Sequence, residues 1–127
     1  MAEFQSKEQL YETLDKFVTA LGEDETFKQR IARADMTISF IVTDLDAAYT
    51  VKLNKGEVTG TEGDEPSALG AIMSSGTLDR LLSGKIDGES AYEMGSIRLR
   101  GSEWVAQSAA GYVYPMSRIY KQVTGQN

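Results

Sequence analysis

Leu78-Asp79-Arg80-Leu81-Leu82-Ser83-Gly84-Lys85-Ile86-Asp87-Gly88-Glu89-Ser90-Ala91-Tyr92-Glu93-Met94-Gly95-Ser96-Ile97-Arg98-Leu99-Arg100-Gly101 reads as a short helix, a glycine stop, a second helical turn, another stop and a strand. Thr77 is the expected N-cap, with Asp79 in the first turn, where a carboxylate favours the positive helix end. Leu78, Leu81 and Leu82 share one face, and Gly84 stands where a left-handed residue ends a helix. Asp87 caps the next turn, whose apolar residues are Ala91, Tyr92 and Met94, and Gly95 closes it. Ile97 and Leu99 then alternate with Ser96, Arg98 and Arg100. Nothing in the run is chemically reactive. A bent unit of this kind suits walling a cavity better than breaking a bond.

Outward from this unit, the chain reads as one α+β domain spanning residues 1–127. Ser6 and Gln9 have capping-box spacing, and Leu10, Leu14, Phe17, Val18 and Leu21 follow at helical period up to Gly22. Glu23-Asp24-Glu25 opens a second short helix. Met36, Ile38, Phe40 and Val42 alternate with Thr37, Ser39 and Thr43 as a first strand. Ile41 interrupts the polar side, which implies partial cover there. After a turn at Asp44-Leu45-Asp46, Tyr49, Val51 and Leu53 form a second strand. Asn54-Lys55-Gly56 turns it into a third over residues 57–61, where Val58 is the lone large apolar residue, so this strand is expected at an exposed edge. Gly63-Asp64-Glu65-Pro66 is a surface loop by composition. Residues 68–73 and 97–100 supply a fourth and a fifth strand. The expected sheet is a predominantly antiparallel five-stranded meander covered by helices. Beyond it, Val105, Ala109, Tyr112, Val113, Met116, Ile119, Tyr120 and Val123 keep a helical period over the tail, 102–124. Pro115 predicts a kink or two helices there, with Gly111 favouring the break.

Composition removes several chemistries. The chain has no histidine and no cysteine, which excludes the usual triads, Cys/His metal clusters and any disulfide. A net charge of −6 argues against nucleic acid and against strong binding to anionic membranes, leaving at most transient membrane contact. No apolar run reaches spanning length. Asp44 and Asp46 are two apart, but Ala47, Ala48 and Tyr49 break the EF-hand pattern, so turn capping is the reading and no metal is expected. The glycines fit no phosphate-binding spacing. No catalytic residue and no cofactor are assigned. Arg98 and Arg100, with Arg80 and Lys85, are the one basic concentration. Strand alternation explains the two strand arginines as a solvated face, with contact to a lipid head group as the alternative.

Leu81-Leu82-Ser83-Gly84-Lys85-Ile86-Asp87, Ser90-Ala91-Tyr92 and Gly95-Ser96-Ile97-Arg98-Leu99-Arg100-Gly101, preceded by the strand Ala71-Ile72-Met73, resemble the sterol carrier protein type 2 family. The resemblance spans roughly residues 35–105, and the tail departs from it. It implies a non-enzymatic lipid-binding domain with an apolar tunnel between sheet and helices for a fatty acyl, sterol-like or other lipid. By position, the implied lining is Phe40 and Val42, Tyr49 and Val51, Leu78 and Leu82, Tyr92 and Met94, Ile97 and Leu99, with Trp104 and Met116 from the tail. Each of these residues also has a plain core reading. Many relatives carry glutamine where this chain has Met94, so the family's polar handle is replaced by a flexible apolar side chain. The ending Gly125-Gln126-Asn127 lacks the peroxisomal tripeptide of many eukaryotic relatives, and a cytoplasmic address is expected. Two other classes stand beside the carrier. One is an interaction or dimerisation module whose cavity its own side chains fill. The other is an enzyme acting on acyl thioesters or lipids.

Overall fold

A computed structural model describes residues 4–126. Helix α1 (Lys7–Glu23) starts at Ser6, whose side chain accepts from the Gln9 backbone N–H. The Gln9 side chain in turn accepts from the N–H of Gln5, one residue before the cap. Its apolar stripe, Leu10, Leu14, Phe17, Val18 and Leu21, is fully turned inward. Helix α2 (Glu25–Arg30) is capped by Asp24, which accepts from the Phe27 N–H at 2.9 Å.

Strands β1 (Asp35–Val42), β2 (Ala47–Asn54), β3 (Glu57–Glu62), β4 (Leu69–Met73) and β5 (Arg98–Arg100) form one sheet in the order β3-β2-β1-β4-β5. β3 is an edge and almost wholly exposed. The first three strands make the expected antiparallel meander. However, β4 runs parallel to β1, pairing Ile38 with Leu69 and Val42 with Met73. The loop after β3 causes this. Thr50 Oγ1 donates to the Gly63 carbonyl at 2.8 Å and accepts from the Glu65 N–H at 3.0 Å. Ser39 Oγ lies 2.9 Å from Thr50 Oγ1 and 3.1 Å from the Glu65 carbonyl. These bonds draw the loop across the polar face of β2 and β1, bury Ser39 and Thr50, and deliver β4 beside β1 in the same direction.

Helix α3 (Ser75–Leu82) begins earlier than a Thr77 cap requires. Ser74 is the cap, accepting from the Thr77 N–H at 3.2 Å. The Asp44 carboxylate takes the Ser75 N–H at 2.8 Å and the Ser75 hydroxyl at 2.7 Å. Asp44 therefore ties the β1–β2 turn to the helix start, and Asp79 falls mid-helix and buried instead of in the first turn. Helix α4 (Gly88–Glu93) is capped by Asp87 as expected, through the Ser90 N–H at 2.8 Å.

Gly84 and Gly95 end these two helices in the left-handed region, at φ +79° and +81°. Each end closes in the same way. The Lys85 N–H reaches the Arg80 carbonyl and the Gly84 N–H reaches Leu81, while Ser96 reaches Ala91 and Gly95 reaches Tyr92. The tail forms α5 (Glu103–Val113), a tight turn over Tyr114–Met116 carrying Pro115, and α6 (Ser117–Thr124). The break falls at the proline. Gly111 stays inside α5, because a single glycine costs a helix only about 1 kcal/mol while proline removes a hydrogen bond and clashes with the preceding turn.

The strand registers place Phe40, Tyr49, Ala71 and Leu99 on one face of the sheet, the face the helices cover. Helix α1 packs over its β2–β3 side and α6 packs on α1. Over the β1–β4–β5 side, by contrast, the helices do not close down.

Candidate functional site

The open side of that face is a cavity of about 470 Å³, a size typical of small-ligand sites. Ile38 and Phe40 of β1, Leu69 and Ala71 of β4, and Ile97 and Leu99 at β5 line its sheet side. Leu81, Gly84 and Ile86 contribute from the end of α3, Tyr92 and Glu93 from α4, and Ala106, Gln107, Ala109, Ala110, Val113 and Tyr114 from α5 and the turn after it. Its origin is a matter of side-chain size. Ala106, Ala109 and Ala110 recur at i, i+3 and i+4 on α5, and Ala71 also lines the cavity. Methyl groups stand there where leucines elsewhere in this core fill the gap between helix and sheet.

Of the expected lining, the structure brings together Phe40, Tyr92, Ile97 and Leu99. Tyr49 and Val51 share the sheet face but lie in the core away from the cavity. Val42, Leu78, Leu82 and Met116 are buried in the core, and among the α3 leucines it is Leu81 that reaches the cavity. Met94 and Trp104 are 71% and 77% exposed and fill nothing. Met94 is the C-cap of α4, where the chain turns outward into Gly95. Trp104 lies about 100° of helical turn from Glu103, on the side of α5 away from the buried Ala109 and Val113. The residues missed are chiefly the alanines, which carry no hydrophobic weight in a sequence pattern. Their helical spacing is the signal that would have found them.

Arg98 and Arg100 pair with Ile72 and Gly70 and so stand on the opposite face of the sheet from the cavity. β5, which carries both arginines, is an edge of the sheet. Arg100 is bound in a fork by Asp64, at 2.8 and 2.9 Å, and the guanidinium holds that carboxyl below its ordinary range. The rim of the cavity carries Asp87, Glu89, Glu93 and Glu103. Across it, Tyr92 Oη donates to Glu103 Oε2 at 2.7 Å, joining α4 to the first turn of α5. The accepting carboxylate raises the Tyr92 pKa above its ordinary value.

A second hollow of about 480 Å³ lies between α1 and β3. It is shallow and half polar, and Tyr49 Oη donates there to Asp15 Oδ1 at 2.7 Å. Burial, and then the Asp15 acceptor, push the Tyr49 hydroxyl well above the ordinary tyrosine range. No helix of the described residues is long and apolar enough to cross a membrane, and no cluster of three or more metal-ligating side chains occurs among them.

No curated protein matches the chain in sequence. Solved structures do match in shape. A crystal structure of sterol carrier protein 2 superposes with a TM-score of 0.68 at 14% identity, covering 87% of this chain and 95% of that one. The solution structure of a Thermus thermophilus protein described as possibly a sterol carrier protein gives 0.70 at 15% identity, covering 88% and 86%. The Aedes aegypti sterol carrier protein-2 in complex with palmitate gives 0.59 at 10% identity, covering 80% and 94%. At such identities the likeness is one of fold, an α+β domain on a mostly antiparallel sheet. In sequence, the pattern of the SCP-2 sterol transfer family matches residues 15–113, from within α1 to the last residue of α5, leaving α6 beyond it. With nearly four-fifths of its length inside that match, the chain belongs to the SCP-2 sterol transfer family.

Proposed function

We propose that this protein is a lipid carrier that holds one apolar chain in the cavity between the sheet and α4–α5, without transforming it. The observation that carries the reading is the cavity itself: about 470 Å³ lined by aliphatic and aromatic side chains and bridged at its rim by a single tyrosine–glutamate hydrogen bond. The family membership and the palmitate complex of the mosquito relative support a lipid guest. A chain lacking both histidine and cysteine, with Tyr92 and Tyr114 as the hydroxyl-bearing side chains of the lining, offers little for acyl transfer. An interaction module with a self-filled cavity is disfavoured, since Met94 and Trp104 turn to solvent and Met116 is buried in the core.

Affinity then comes from burying hydrocarbon at about 0.8 kcal/mol per methylene, or about fourfold in Kd for each carbon added. Titration with straight-chain alcohols of increasing length should show this slope until the cavity is full, and then a plateau. Kd values independent of chain length would overturn the carrier reading. Calorimetry reads the titration, because Trp104, the one tryptophan, faces solvent outside the cavity lining.

A further inference from the structure

We propose that the cavity selects its guest by head-group charge, taking a single-chain amphiphile with an ammonium head in preference to a fatty carboxylate. This rests on the carrier reading and adds the chemical class of the lipid. Its basis is the make-up of the mouth. The charged residues that line the cavity are Asp87, Glu89, Glu93 and Glu103, all acids. Among the described residues no ion pair joins any of them to a lysine or arginine.

Nearby cations are engaged elsewhere. Lys85 Nζ donates to Gln126 Oε1 at 2.8 Å, and Arg80 to Thr77 Oγ1 at 3.3 Å. Arg98 and Arg100 occupy the far face of the sheet. The Asp87 carboxylate is used by Ser90 and that of Glu103 by Tyr92. No hydrogen bond or ion pair among the described residues engages the side-chain carboxylates of Glu89 or Glu93, so these two carry most of the preference.

The aromatic content of the same mouth adds a second, independent attraction. Tyr92 and Tyr114 both line it, and tyrosine faces attract alkylammonium heads through the ring quadrupole. A head carrying one positive charge therefore meets unpaired carboxylates and aromatic rings. A carboxylate head of the same chain meets like charge and has no cationic partner in the lining. The hydrocarbon is common to both and cancels from the comparison.

The test uses three probes of equal chain length below their micelle concentrations: dodecylammonium, dodecanol and dodecanoate, titrated calorimetrically at neutral pH. The expected order is ammonium, alcohol, carboxylate. The outer two should differ by at least about tenfold in Kd at low salt, narrowing at about 0.5 M salt as the charges are screened. In a Glu89→Gln/Glu93→Gln variant the ratio should fall toward one, and because both positions are on the surface of α4 a melting curve will show the fold retained. Equal binding of the two ions, or tighter binding of dodecanoate, overturns the head-group inference and leaves the carrier reading standing. Failure of all three probes to bind overturns both.

Discussion

An Ala71→Phe variant is expected to lose guest binding by about 100-fold or more while melting no lower than the unaltered protein. Ala71 is paired with Phe40 of β1 on one side and Leu99 of β5 on the other, and all three line the cavity. A phenyl ring there enters existing empty space, so overpacking costs do not apply, and filling a void commonly adds about 0.5–2 kcal/mol of stability. Phenylalanine is also well suited to a strand. The ring takes the room of several guest methylenes, and losing three or four of them costs about 3 kcal/mol of binding. The checks are a chain-length titration and a thermal melt on the same sample. Undiminished affinity with an intact fold would place the guest elsewhere, with the hollow between α1 and β3 as the next site to test.

The largest loss of stability is expected at Tyr120, far from the cavity. Its ring is fully buried and meets Phe17 of α1 edge-on, with centroids 5.2 Å apart and planes at 86°. Its hydroxyl donates to Asp79 Oδ1 at 2.7 Å, and Gln126 Nε2 donates to the same oxygen at 3.1 Å. One side chain thus joins the α6 tail to both α1 and α3. Tyr120→Ala should cost about 3–5 kcal/mol through the void it leaves and the buried carboxylate it strips of a donor. At this chain length that is a fall in Tm of roughly 10–20 °C. Tyr120→Phe keeps the ring and removes the donor alone, and should cost about 1–3 kcal/mol. Denaturant melts of the two variants separate the packing share from the hydrogen-bond share. Equal losses would assign the whole effect to Asp79.

The contrast between what the sequence disclosed and what it hid follows the range of the interactions. Short-range chemistry was legible: Ser6 and Asp87 as caps, the acidic run at residues 23–25 as the start of α2, Gly84 and Gly95 as stops, the exposed β3 edge with its single Val58, and the break at Pro115. The parallel β1–β4 pair was not. It depends on Ser39 and Thr50 binding a loop 13 to 26 residues further along, and two hydroxyls in alternating strands look like solvent-facing residues. The start of α3 was misplaced for the same reason, since the Asp44 carboxylate that fixes Ser75 comes from 31 residues away.

At the site, alternation marks Phe40, Ile97 and Leu99 as apolar, and the stop at Gly95 locates Tyr92. What makes the hollow is the absence of bulk at Ala71, Ala106, Ala109 and Ala110. A search for large apolar residues passes over such positions and returns Leu78, Leu82 and Val42, which complete the core.

Helix α4 has one further consequence. It is six residues long, buries only Ala91, and is bounded at one end by Asp87 and at the other by the Gly95 stop. Beyond Ala91, it is tied across the rim by the Tyr92–Glu103 hydrogen bond. So small a unit is expected to lift and reseat at a cost far below that of global unfolding, which hydrogen exchange at its amides would read. In the carrier proposed above, the residence time of a guest is expected to follow how often this short segment opens, and its affinity the hydrocarbon buried underneath. Speed of delivery and strength of retention would thereby rest on different residues, and selection could adjust the one without disturbing the other.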